Sequence, residues 1–128
     1  MTSMLGYAVL AIELSDLDAA AQLLAIIEPY AGEIATSLGP VAAYAGRLAS
    51  LLGHHELAER HLGSALEIVE AFDWDYHRAS VLIFLAGCRR RRLGQLDTGA
   101  RAALDQAARI CTAHSLPGLL AAIEEMRR

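Results

Sequence analysis

The chain has 128 residues and a mass of 13.7 kDa, which is the size of one domain, so the sequence predicts a single domain over residues 1–128. Hydrophobic residues make up 55% of the chain, and three prolines with ten glycines exclude collagen-like and low-complexity disordered proteins. The net charge of -4 and the pI near 5.7 lack the basic excess of a nucleic-acid-binding protein, so nucleic acid is not an expected partner.

Apolar residues recur at helical spacing along the chain, and no segment alternates with the period of a strand, so the sequence predicts an all-α fold. The predicted helices cover residues 3–14, 16–28, 40–52, 54–71, 74–92 and 96–113, followed by a short seventh helix from Ser115. An irregular linker is expected between Glu28 and Pro40. Ser15 and Asp73 are the predicted N-caps of the second and fifth helices, and Gly53 is expected to end the third.

Three stretches of the chain, residues 14–24, 52–62 and 93–104, can be aligned with one another. Each begins with a leucine at a turn and continues with a small residue and a second leucine. The aligned small residues are Ala20, Ala58 and Ala100. A unit of about 40 residues containing two antiparallel helices is typical of a tetratricopeptide-like (TPR-like) superhelix. The sequence therefore predicts about three helix pairs and a C-terminal helix, with a small residue where the helices of a pair meet.

Three segments, Pro29–Gly32, Leu52–Leu66 and Ala108–Leu120, together resemble the tetratricopeptide-like region near the C-terminus of large bacterial signalling ATPases. That group includes MalT-type and LuxR-type transcription regulators and some class III adenylate cyclases. The resemblance implies a cytoplasmic, non-enzymatic sensor or scaffold that takes part in signal transduction or transcription regulation. The chain has no GxxxxGK[ST] loop, cyclase domain or LuxR-type DNA-binding helices, so those activities are not carried over. The absence of lysine and asparagine also favours a GC-rich bacterial source.

The titratable residues do not form a recognised catalytic or metal-binding pattern. The segment His54–His61 resembles a zinc-protease motif, but Glu59 stands where the second histidine of that motif belongs. Asp73 and Asp75 are two residues apart and would point in different directions on a helix. We therefore expect no enzymatic activity, no catalytic residue, no bound metal and no cofactor.

Three further features bear on compartment and partners. Cys88 and Cys111 lie in apolar helical stretches, so we expect buried free thiols and a reducing cytoplasm. No apolar run reaches the roughly 18 residues that a membrane span needs, so no membrane association is expected. The run Arg89–Arg92 spreads around a helix, which favours solvation and a complement to the helix dipole. An acidic protein partner, and nucleic acid or an anionic ligand, are alternatives for this run.

In a TPR-like array the first helix of each pair lines a concave groove, where a partner could bind. The residues predicted to line it are Tyr44, Arg47, Ser50, His77, Phe84 and Arg91. An extended acidic peptide or a free C-terminus would suit such a lining. The alternatives are a sensor that binds a small molecule or nucleotide in the groove, and a simple core role for the apolar members.

The first predicted helix is apolar on nearly every side, although an end helix of a repeat array normally has a polar outer face. We expect this helix to be covered, either by a second copy in a homodimer or by an upstream repeat. The residues predicted for self-association are Met4, Leu5, Tyr7, Val9 and Ile12. The expected function is that of a protein-binding module whose partner is a separate protein or other domains of a parent protein.

Overall fold

The structure is a computed structural model that describes every residue of the chain apart from the side chain of Thr36. The described residues form α-helices and no strand, which confirms the predicted all-α class. The helices are α1 (Thr2–Glu13), α2 (Leu17–Ile27), α3 (Val41–Leu51), α4 (His55–Ala71), α5 (Asp75–Leu93), α6 (Thr98–His114) and α7 (Pro117–Arg127). Each lies within a few residues of its predicted position.

The helices group into two compact units, whose boundary falls within α4. Unit 1 covers Met1–Ala65, and unit 2 covers Leu66–Arg128. In unit 1, α1 packs against both α2 and α3. In unit 2, α5 and α6 form the main helix pair, and α7 packs against both of them. The single domain expected from chain length stays a prediction.

The three aligned stretches share a left-handed residue at the turn between two helices. Ser15 has φ 50°, Gly53 has φ 82° and Gly94 has φ 78°. In the first two turns, the N–H of the residue after the left-handed one donates to the carbonyl oxygen five residues earlier. Asp16 N donates to Ala11 O at 2.9 Å, and His54 N donates to Ala49 O at 2.9 Å. This arrangement satisfies carbonyls that a helix end would otherwise leave unpaired. The repeat alignment therefore coincides with a repeated turn geometry.

Exchanging glycine and non-glycine residues at these turns tests their geometry. Because a side chain is disfavoured at positive φ, Ser15→Gly should raise the free energy of unfolding by roughly 0.5–1 kcal/mol. Gly53→Ala should lower it by about 1 kcal/mol or more for the same reason. Urea unfolding followed by circular dichroism measures both values, and a stabilising Gly53→Ala change would contradict the assigned turn.

A close approach between α3 and α4 organises the second half of unit 1. Gly46 is buried, and a Cβ atom at this position would lie 2.7 Å from Leu62 Cγ and 3.1 Å from Ala58 O. Ala58 and Leu62 are themselves fully buried. A residue without a side chain at position 46 therefore lets the two helices meet. Ala58 was predicted from the repeat to lie at such a contact.

Replacing Gly46 tests that contact, and Gly63 in α4 supplies a matched control. Gly46→Ala should lower the free energy of unfolding by roughly 1–3 kcal/mol, because the added methyl group forces Leu62 or the α4 backbone to move. Gly63→Ala should raise it by up to about 1 kcal/mol, because no atom lies within 4 Å of its Cβ position and alanine favours a helix. Equal effects of the two changes, measured by urea unfolding, would contradict the close approach.

The core of unit 2 is built from small and aliphatic side chains of α5, α6 and α7. Its buried members are Ala79, Leu82, Ile83, Ala86, Ala100, Ala103, Leu104, Ala107, Ile110, Cys111 and Ile123. Ala100, which the repeat alignment predicted to lie where two helices meet, belongs to this core together with Leu104. Within unit 2, α5 contributes many of the buried residues.

Two predicted N-caps differ from those in the structure. Asp16, not Ser15, caps α2, because its carboxylate accepts a hydrogen bond from Ala19 N at 3.1 Å. Asp73 does not cap α5; it adopts φ 54° at the preceding turn, and the N-cap position belongs to Trp74. The N-cap of α6 is Asp97, whose carboxylate accepts from Ala100 N at 2.7 Å.

The predicted irregular linker between α2 and α3 contains ordered local structure. It holds two 3₁₀ turns, Glu28–Tyr30 and Thr36–Leu38. Ile34 and Pro40 form a single antiparallel bridge, and the Tyr44 hydroxyl donates to Leu38 O at 2.9 Å. The bridge and this hydrogen bond hold the linker against the N-terminal part of α3.

Candidate protein-binding surface

The most prominent exposed apolar surface of unit 1 lies on α1 and continues onto α2. Tyr7, Leu10 and Leu14 are 57%, 54% and 68% exposed, although all three are large and apolar. Leu17 and Ile26 of α2 are also about half exposed. We call Tyr7, Leu10, Leu14 and Ile26, which line one groove between the two helices, the α1–α2 face. An exposed apolar surface of this kind is a candidate interaction site.

The α1–α2 face contains a groove of about 290 Å³ between the two helices. Its walls are mostly apolar, with polar groups contributed by Asp16 and Gln22. The outer side of α1 beyond this groove presents Ser3, Gly6 and Glu13. A continuous apolar strip with a few polar groups at its edge can bind an amphipathic helix, which aligns its own apolar side with the strip.

The residues predicted for self-association occupy different environments on α1. Leu5 has no exposed surface and belongs to the core of unit 1, so it cannot contact a partner directly. Met4, Val9 and Ile12 are partly buried. Tyr7 alone among the five predicted residues lies on the α1–α2 face. The sequence interpretation missed Leu10 and Leu14, whose helical spacing from Tyr7 was visible in the sequence.

The predicted groove residues of unit 1 lie together on α3, and each is at least partly buried. Ser50 is buried, and the Tyr44 hydroxyl is engaged with Leu38 O. Burial lowers the pKa of the Arg47 guanidinium, and the charges of Tyr44 and Glu13 oppose that decrease. Glu13 thus supplies negative potential near a partly buried cation.

The predicted groove residues of unit 2 lie along α5. His77 and Phe84 are partly buried, and Arg91 is exposed. The His77 ring centroid lies 5.5 Å from that of Trp74, which in turn stacks on Phe72 at 5.6 Å. His77 is therefore part of an aromatic cluster near the α4–α5 turn. The groove that would combine these residues with those of α3 stays a prediction.

The arginine run at the end of α5 makes contacts within unit 2. Arg90 Nη1 donates to Met126 O at 2.8 Å, at the C-terminal end of α7. The Arg89 guanidinium lies against Gly99, so closely that a Cβ there would collide with it. A cation at the end of α7 complements the negative end of that helix dipole. The predicted role of the run concerned the dipole of its own helix, and Arg90, Arg91 and Arg92 do lie in the last turn of α5.

The histidines and neighbouring acids form pairs rather than a metal site. His61 Nε2 lies 2.9 Å from Glu28 Oε2 in unit 1. In unit 2, Asp75 lies 2.7 Å from Arg78 Nη2 and 2.8 Å from His114 Nε2. Within the described part of the chain, no group of three or more His, Cys, Asp or Glu side chains is arranged to hold a metal ion.

Both cysteines are buried and free, as predicted. Burial also raises the pKa of the Cys111 thiol. The buried position and the raised pKa both reduce the reactivity of this thiol, because the thiolate is the nucleophilic form.

The raised pKa of Cys111 predicts a loss of stability at alkaline pH. Above the ordinary thiol pKa of about 8.5, the unfolded chain releases this proton more readily than the folded chain. The free energy of unfolding should therefore fall as the pH rises from roughly 8 to 10. Cys111→Ala should flatten the decrease in urea-unfolding experiments at each pH. An unchanged slope in that variant would contradict the assigned role of Cys111.

The chain matches no protein-family model, no curated protein and no solved structure. No helix in the described part of the chain combines the length and the apolar composition that crossing a membrane requires.

Proposed function

We propose that the chain is a non-enzymatic protein-binding module that holds an amphipathic helix of a protein partner against the α1–α2 face. The observation that supports this proposal is the exposure of Tyr7, Leu10 and Leu14 beside the groove between α1 and α2. Burying one leucine side chain contributes about 1.5–3 kcal/mol, so a few such contacts suffice for specific binding.

We further propose that the helix pairs belong to a TPR-like superhelix that regulates a bacterial signalling or transcription-regulatory protein in the cytoplasm. The resemblance described above supports this proposal, as do the repeated left-handed turn residues Ser15, Gly53 and Gly94. The buried free thiols suit a reducing compartment. The contacts of Arg89 and Arg90 within unit 2 favour a protein partner over nucleic acid, because these guanidinium groups already serve packing and helix capping.

A selection experiment with helical peptides as probes tests the proposed function. A displayed library of amphipathic helical peptides is selected against the chain at nanomolar concentration, and binding of the enriched peptides is measured by fluorescence anisotropy. Leu10→Glu should weaken binding at least about tenfold, since a buried leucine contact is worth more than 1.4 kcal/mol.

The matched control is Leu93→Glu, which introduces the same charge at another half-exposed leucine in unit 2. It should leave peptide binding unchanged. Failure to enrich any helical peptide, or equal binding by the Leu10→Glu and wild-type chains, would contradict the proposed function.

A further inference from the structure

The last helix of unit 2, α7, contacts the rest of the unit in the manner of an amphipathic helix bound in a groove. Ile123 has no exposed surface, and Leu119, Leu120 and Met126 pack partly buried against the same core. Counted from Leu119, these anchors stand at i, i+1, i+4 and i+7, a spacing that keeps them on one side of a helix. The groove is formed by α5 and α6, since α7 packs against both.

Polar contacts at the end of α7 add specificity to this apolar packing. Arg127 Nη2 lies 2.6 Å from Asp105 Oδ1 of α6, and Arg90 Nη1 of α5 donates to Met126 O at 2.8 Å. Met126 Cε lies 3.3 Å from the position that a Cβ atom on Gly87 would occupy. We call Gly87, Arg90 and Asp105, which contact α7 at these points, the α7 groove. It suits a helix with a basic residue directly after its last apolar anchor.

The turn before α7 ends α6 without any contribution from α7. Ser115 has φ 54° and ψ 60°, the left-handed conformation, and Leu116 N donates to Cys111 O at 2.9 Å. The next residue, Pro117, has no N–H with which to continue the hydrogen bonds of α6. The two helices are therefore separate segments, and α6 keeps its hydrogen bonds when α7 leaves the groove.

The attachment of α7 to the groove is shallow. Of its residues, all of which the structure describes, Ile123 alone is fully buried, whereas α5 and α6 each bury several. The side chains of Arg127 and Asp105 are 43% and 59% exposed, so their ion pair adds little to the attachment. A helix held in this way is replaced by another helix that makes the same contacts and buries more apolar surface.

We propose that α7 occupies, within its own chain, a binding groove for an amphipathic helix of a partner protein, and that the partner helix displaces it. The partner helix carries large aliphatic residues or methionine at the four anchor positions and a basic residue directly after the last. The bound α7 weakens the apparent affinity for the partner, because only chains with an open groove can bind. This groove belongs to unit 2, whereas the α1–α2 face belongs to unit 1.

A peptide with the sequence of α7 is the probe for the groove. A fluorescein-labelled peptide of residues 116–128, the α7 peptide, is titrated with the full chain, and binding is measured by fluorescence anisotropy. Ile123→Ala in the chain should strengthen peptide binding at least about tenfold, because it loosens α7 while the peptide keeps its isoleucine. Equal affinity of the variant and wild-type chains, with helix content retained in circular dichroism, would overturn the proposal.

An exposed charge change loosens α7 without altering its apolar side. Arg127→Glu in the chain places a carboxylate against Asp105, so binding of the α7 peptide should strengthen roughly threefold at low salt. Arg128→Glu is the matched control, since it adds an acid at the same end of α7 but Arg128 pairs with Glu125, a neighbour in sequence. Equal affinities of these two variants would overturn the proposal, whether or not Ile123→Ala disturbs the fold.

A charge exchange tests whether the peptide lies where α7 lies. The wild-type chain should bind the unaltered α7 peptide more tightly than the Arg127→Glu peptide, whereas the Asp105→Arg chain should prefer the Arg127→Glu peptide. The preference should reverse because the two charges meet across the groove. The same preference in both chains would place the peptide elsewhere and overturn the proposal.

A covalent link between α7 and α5 tests the displacement. Met126 reaches Gly87, so a chain with Gly87→Cys and Met126→Cys can be joined at these positions by a short bifunctional thiol reagent. The linked chain should bind the α7 peptide at least about tenfold more weakly than the same chain before linking, because the groove stays closed. Undiminished binding by the linked chain would overturn the proposal.

The groove in unit 2 and the proposed function can fail separately. Leu10→Glu, which should weaken binding to the α1–α2 face, should leave binding of the α7 peptide unchanged. Loss of α7-peptide binding in this variant would assign the peptide to the α1–α2 face and overturn only the inference about α7. Retained binding, together with the charge exchange at Asp105, supports the groove whatever the outcome at the α1–α2 face.

Discussion

Close contact between helices depends on residues with little or no side chain where the helices meet. Gly46 permits the approach of α3 to α4, and Ala58 lies on the opposite side of the same contact. Ala20 and Ala100, which occupy the corresponding positions of the repeat, have no exposed surface. A core of alanine, leucine and isoleucine gains its stability from many close contacts between short side chains. This explains how a chain with so few aromatic residues builds two compact units.

The helices and turns could be predicted from the sequence because both depend on local patterns. Helical spacing of apolar residues located all seven helices, and the aligned leucines located the turns. The N-caps were harder to predict, since Ser15 and Asp16 are both good capping residues and only the backbone geometry decides between them. Ser15 takes the left-handed position, so the carboxylate that can reach the α2 backbone is that of Asp16. Asp73 likewise takes the left-handed position at its turn, so the N-cap position of α5 belongs to Trp74, whose side chain makes no capping hydrogen bond.

The candidate surface was predicted less completely, because α1 is nearly uniform around its circumference. A helix with one apolar side reveals which side faces the core, whereas α1 offers apolar residues in every direction. Only its packing against α2 and α3 places Leu5 and Ala8 inside and leaves Tyr7 and Leu10 outside. The pairing of Glu28 with His61 was likewise hidden, since the two residues are distant in sequence.

The attachment of α7 has a consequence for motion in unit 2. This helix has one fully buried residue, Ile123, and it is held further by the bond from Arg90 to Met126 O and by the pairing of Arg127 with Asp105. Exposed polar contacts of this kind contribute little compared with a buried core. Leu119, Leu120 and Met126 add partly buried contacts, but α7 contributes fewer fully buried side chains to the core than α5 or α6. Amide hydrogens of α7 should therefore exchange with solvent through local opening before those of α5 and α6.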